Sequence, residues 1–162
     1  MVAVDLVSDV VELANSMSTI NAKIEAESIR FIKENKAGLI RRFASIEEYP
    51  PPRRPVSVFM AGCPGAGKTE VSKNLIRVIK EKVIRIDADD IRKFLPQYNG
   101  KNTDDVQKAS FIGVDKLLDH TLRNRQNFIL DGTFSLKYQK AKSNIERAIR
   151  PEGCVDVVDK KL

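Results

Sequence analysis

The chain contains no tryptophan, one histidine and two cysteines among its 162 residues. With His120 the only imidazole and Cys63 and Cys154 far apart, no cluster has metal-ligand spacing, and two thiols make no disulfide framework. His120 lies in a helical pattern and is expected to be solvated. No apolar run approaches the roughly 20 residues that a membrane-spanning helix needs. No basic start followed by a long apolar stretch marks a signal peptide. Membrane association is therefore not expected, and by the same exclusion the expected location is cytoplasmic. Aromatic residues are 6% of the chain, so its core must be mainly aliphatic. The hydrophobic fraction of 42% is enough to build such a core, and the net charge of +6 suits anionic ligands.

Residues 1–48 hold no proline and only Gly38. Met17, Ile20, Ile24 and Phe31 recur at helical spacing, with a break expected between Asn35 and Gly38. The string Pro50-Pro51-Pro52-Arg53-Arg54-Pro55 cannot continue a helix or enter a central strand, so it reads as a stiff linker. The expected organisation is a helical segment over 1–49, a linker over 50–55 and one domain over 56–162.

In that domain short apolar runs alternate with helical patterns. Strands are expected at 56–60, 82–86, 128–130 and 154–158. Helices are expected at 69–80, at 90–95, from Asp104 or Asp105 to about Arg125, and at 137–150. Val71, Leu75, Ile76 and Ile79 should face inward on the first helix; Phe111, Val114, Leu117, Leu118 and Leu122 should do so on the third. Strands alternating with helices define an α/β fold with a parallel sheet. Ligands bind beyond the carboxyl ends of such strands.

The richest of those ends reads Gly62-Cys63-Pro64-Gly65-Ala66-Gly67-Lys68-Thr69, which matches G-x-x-x-x-G-K-[ST]. Glycines let the backbone turn successive N–H groups toward phosphates, and the following helix adds its positive N-terminal end. The candidate cradle runs from Gly62 through Glu70. Lys68 would reach the β- and γ-phosphates, and Thr69 would set its hydroxyl on Mg²⁺. The ligand is then a purine nucleotide, ATP with Mg²⁺, because no Asn-Lys-x-Asp guanine-reading motif occurs. A carboxylate ending the strand beside the loop's own strand can serve a kinase as base. Asp87, Asp89 and Asp90 follow the second strand. Asp90 fits a helix cap best, which leaves Asp87 and Asp89 as the inward pair. Asp131 ends the third strand as a Walker-B carboxylate does, able to bind Mg²⁺ through water, to hold substrate, or to cap a helix.

Taken together, Gly62-x-Pro64-Gly65-x-Gly67-Lys68-Thr69, then Ile86-Asp87-Ala88-Asp89-Asp90-Ile91-Arg92 with Leu95-Pro96 and Tyr98, then Ile129-Leu130-Asp131-Gly132-Thr133 resemble the zeta toxin kinases over residues 56–150. The resemblance implies a P-loop NTPase-type parallel sheet flanked by helices. It implies ATP-dependent phosphorylation of the 3′-hydroxyl of UDP-N-acetylglucosamine, and an antitoxin protein as partner. By position it makes Asp89 the catalytic base and Lys68 and Thr69 the nucleotide and Mg²⁺ residues. Asp131 falls where the family commonly has a substrate-binding Glu, Thr133 keeps the matching threonine, and Asp115 stands at a further acidic substrate contact. In some relatives helical antitoxin segments are fused to the toxin, so residues 1–48 could occlude the site, or simply pack on the sheet or mediate self-association.

The family also carries lid arginines after the fourth strand, whereas this sequence ends at Leu162, and Ser135 stands where some relatives have arginine. The expectation is a domain incomplete at its C-terminus that binds nucleotide with little or no turnover. Two other readings stand beside the sugar-nucleotide kinase. One is a polynucleotide 5′-hydroxyl kinase, against which counts the lack of a basic stripe with interleaved aromatics. The other is a non-catalytic ATP-binding remnant.

Overall fold

The computed structural model describes residues 2–60, 67–79, 81–131 and 138–149, of which 2–10, 68, 69, 138, 140 and 141 are described by backbone course alone. The phosphate-loop residues Gly62, Cys63, Pro64, Gly65 and Ala66, the Gly132-Thr133 pair and the expected strand at 154–158 lie outside them.

Two helices open the chain, α1 (Val2–Glu34) and α2 (Lys36–Phe43), broken at Asn35. Asn35 ends α1 by turning its own side-chain amide back onto the Phe31 carbonyl at 3.0 Å. The alternation then runs β1 (Ser57–Met60), α3 (Lys68–Val78), β2 (Ile84–Asp87), α4 (Ala88–Arg92), α5 (Thr103–Arg123), β3 (Phe128–Asp131) and α6 (Tyr138–Ile149). The three strands are parallel, in the order β1-β3-β2. Phe128, Ile129 and Leu130 are all buried, as a central strand covered on both faces requires.

The polar residues just before β3 fix its level. Asn127 accepts the Val56 amide on Oδ1 at 2.8 Å and donates from Nδ2 to the Lys82 carbonyl at 3.3 Å and to Glu81 at 2.9 Å. Its backbone carbonyl accepts from Ile84, while the Phe128 amide donates to Val56. Gln126 donates to the Ala44 and Tyr49 carbonyls at 3.1 and 2.8 Å, tying the chain after α2 to the same point. The Asn127 carboxamide is paired at both ends and so repays its desolvation, whereas Gln126 is paired through Nε2 and its buried Oε1 has no hydrogen-bond partner among the described residues.

Side-chain alternation divides the sheet into two faces. Ile84, Ile86, Phe128 and Leu130 join Ile32, Leu39, Ile91, Leu117 and Leu118 in one core with α1, α2, α4 and α5. Val58, Met60, Ile129, Asp131, Arg85 and Asp87 belong by register to the opposite face, that of α3. The C-terminal half of α1 is part of the core, with Ile32 fully buried and Ile24, Ile29 and Phe31 packed against it. Its earlier turns stand clear, and Leu13, Met17 and Ile20 are exposed.

Several helix faces differ from the periodicity. Met17 and Ile20 do not share the burial of Ile24, because nothing described covers α1 before its α5 contact. On α3, Val71 is exposed and Ser72 is buried, because a polar partner on β3 draws the helix face one residue round. On α5, Phe111 is exposed and Gly113 faces inward. That helix starts at Thr103 behind Asn102, not behind Asp104 or Asp105.

His120 is not solvated either. Its Nε2 lies 3.1 Å from the Ala44 carbonyl and its Nδ1 lies 3.1 Å from the Asn124 amide. A neutral ring that donates from Nε2 and accepts at Nδ1 satisfies both. Burial lowers its pKa, the Ala44 bond opposes that, and Lys36 adds to the lowering.

Two predictions follow from this packing. A Cβ at Gly113 would sit 2.6 Å from Ile91 Cγ2, and a β-branched neighbour cannot swing away cheaply. Overpacking of about 1–3 kcal/mol, less the ~1 kcal/mol that alanine gains in a helix, leaves Gly113→Ala destabilised by about 1 kcal/mol in urea unfolding. A depressed histidine pKa contributes stability that is present above the ordinary value of 6.5 and is lost as pH falls from there through the folded value. Wild type therefore melts lower as the buffer is acidified below 6.5, and His120→Gln flattens that dependence over the same window.

Candidate nucleotide site

Register brings Met60, Asp131 and Asp87 to one level at the carboxyl ends of the three strands. From the end of β1 the chain passes into the glycine loop and re-emerges at Gly67, whose φ is +71°. That left-handed conformation is strain-free for glycine and costly for most other residues, and it turns the backbone directly into α3 at Lys68. Glu70 lies in the first turn of α3 and is exposed. The helix thus begins with the lysine and threonine of the sequence motif, and its Ser72 is bonded to Asp131 at the end of β3.

The strand beside β1 is β3, not β2, so the carboxylate next to the loop's own strand is Asp131. The Asp87–Asp90 cluster sits one strand further away. Local geometry also reassigns the cap. Asp87, extended at the end of β2, caps α4 by accepting the Asp89 amide at 2.9 Å; Asp90 does not. The cap falls there because the helix begins at Ala88, so the residue before it takes the role.

The carboxylates do not pair inward as Asp87 with Asp89. Asp87, Asp90 and Asp131 converge instead on Arg85 of β2, a residue that sequence reasoning passed over. Its Nε and Nη2 both reach Asp131 Oδ2, at 3.0 and 2.7 Å. Its Nη1 reaches Asp90 Oδ2 at 2.8 Å, and Nη2 also pairs with Asp87. Ser72 of α3 donates to the same Asp131 oxygen at 3.0 Å. The Asp131 side chain is 5% exposed. Asp89 points outward, 68% exposed, and pairs with Arg92 at 2.9 Å. Asp115 is half-buried on α5, a helix of the opposite sheet face.

Two pKa shifts mark the cluster. Burial raises that of Asp87; the Asp89 amide and the Arg85 charge oppose the rise, and Asp89 and Asp90 add to it. For Arg85, burial alone would lower the pKa, but Asp131, Asp87 and Asp90 together raise it, so the guanidinium stays charged.

A parallel sheet with a left-handed glycine leading into a helix at Lys68, and carboxylates at the neighbouring strand ends, defines a P-loop α/β fold. The zeta toxin family profile matches residues 40–154, and the chain belongs to that family. A solved structure from the PezAT chromosomal toxin–antitoxin system of Streptococcus pneumoniae is similar in fold. It has 17% identity and a TM-score of 0.57, and the match covers 77% of this chain and 55% of that one. This chain thus matches about half the length of that relative. Among curated proteins none matches.

The Ser72 bond yields a prediction. Hydrogen bonds to charged groups are worth about 1.5–3 kcal/mol, so Ser72→Ala should lose stability in that range by urea unfolding. It should lose little if the Asp131 oxygen is replaced as well, in Ser72→Ala with Asp131→Asn, which a double-mutant cycle reads directly.

Proposed function

We propose that this chain binds ATP with Mg²⁺ over residues 62–70 and transfers the γ-phosphate to the 3′-hydroxyl of UDP-N-acetylglucosamine. The observation that carries the nucleotide part is the left-handed Gly67 opening α3 at Lys68, beside aligned strand ends. Family membership supports phosphotransfer, and the motif residues support the acceptor.

In this reading Lys68 draws charge from the β- and γ-phosphates, and the loop amides with the N-terminus of α3 hold their oxygens. Of this chain's residues Thr69 would hold Mg²⁺ through its hydroxyl, and the ion when bound would supply charge neutralisation at the phosphates. Among the described residues no group of three or more His, Cys, Asp or Glu could hold a metal ion.

Asp89 is the proposed base. It stands two residues beyond the end of β2, in the first turn of α4, and its carboxylate accepts from Arg92 at 2.9 Å. An exposed carboxylate at this level can accept a proton from an incoming hydroxyl. Asp115 and Thr133 are acceptor-binding candidates by family position and Asp87 by its place at the end of β2, together with Asp131, whose partners give it a further part below. A protein antitoxin is the proposed partner.

The test is transfer of labelled phosphate from ATP to UDP-N-acetylglucosamine, with a 5′-hydroxyl oligonucleotide as the competing acceptor. Label on the sugar nucleotide, abolished in Lys68→Ala and reduced about 100-fold or more in Asp89→Asn, is the expected result. Label on the oligonucleotide would make the chain a polynucleotide kinase. ATP binding without transfer to either would leave a nucleotide-binding protein.

A further inference from the structure

Three carboxylates crowd the ends of β2 and β3 on one face of the sheet. Left to themselves, Asp87, Asp90 and Asp131 would repel one another, and such a group either takes up protons or recruits a cation. Clustered carboxylate oxygens are the usual ligands of divalent cations. Here the middle of the cluster is filled by a side chain. Arg85 is 19% exposed and rises from the strand itself, two residues before Asp87 on the same face. Its fork meets Asp131 through both Nε and Nη2, while Nη1 holds Asp90.

One oxygen, Asp131 Oδ2, receives three donors, two from Arg85 and one from Ser72. That oxygen is already occupied by protein groups and is directed at α3. The three bonds join β3 to β2 and to the helix that leaves the phosphate loop. A guanidinium suits this task where an ammonium would not, because its planar donors fix directions as well as charge.

We infer that Arg85 stands in for a cation among these carboxylates, making Asp131 a strut between β3, β2 and α3 instead of a metal ligand. Arg85 is thus a positioning residue, acting through Asp131 and Ser72 on the start of α3. The inference deepens the proposed nucleotide site, but its first test needs no nucleotide.

Mn²⁺ is titrated calorimetrically into the nucleotide-free protein. Wild type shows no saturable site. Arg85→Met, similar in length and uncharged, gains one, with affinity at least about tenfold above wild type. Asp131→Asn added to Arg85→Met removes the gain, and Arg85→Lys, which restores the charge without the planar fork, gains no Mn²⁺ site. Folding of each variant is checked by circular dichroism. Should Arg85→Met fail to fold, Arg85→Gln keeps a donor for Asp131 and is held to the same result. Equal Mn²⁺ binding by wild type and the neutral variant overturns the inference, as does a gain that survives Asp131→Asn. A wild type that binds no ATP would refute the proposed function and leave the Mn²⁺ result standing.

Discussion

The carboxamide of Asn127 is the contact on which the rest of the sheet depends. Within one residue the chain satisfies the amide that leads into β1, the carbonyl before β2 and the first ladder bond of β2. A parallel pair slipped by one residue would turn every side chain to the other face. Holding both neighbours at the level of Asn127 puts Ile84, Ile86, Phe128 and Leu130 into the core together. It also brings Met60, Asp131 and Asp87 to a common line. The site at one end of the sheet is therefore set by polar bonds made at the other.

That dependence explains what could be read without coordinates. The strands were legible because apolar runs stop at Asp87 and Asp131, and the phosphate loop because its spacing is demanding. The order of the strands was not. A crossover helix tells that two strands are parallel, not whether a third lies between them, so the pattern alone sets β2 beside β1 where β3 holds that place. Helix faces failed where a polar side chain has a buried partner. Ser72 is inward because Asp131 waits for it, and that pairing spans a sequence separation of 59. The helix expected at 90–95 begins two residues earlier, at Ala88, because Asp87, not Asp90, is its cap.

Arg85 could have been found. In Ile84-Arg85-Ile86-Asp87 the period of a strand puts the arginine and the aspartate on one face, opposite two isoleucines. A cation two residues before a carboxylate at a strand end, on a half-buried face, is a paired group by simple electrostatics. What the spacing does not reveal is that the same guanidinium also reaches Asp131 on the next strand. The ion pairs here are mostly desolvated, and such pairs seldom add much stability over an apolar filling; their worth is directional. They aim α3, and through it the end of the glycine loop, while Asp89 remains outside the knot.

The strand order has a temporal side. Among the described strands β1 and β2 touch only β3, which comes last of the three. During synthesis the chain through residue 127 has two strands with no edge to share, and their apolar faces await a partner made at the ribosome only later. Among the described strands the central one is also the last to be made, so pairing of β1 and β2 waits for the emergence of Phe128–Asp131. A nascent chain stalled just short of it would hold finished helices around a sheet that does not yet exist.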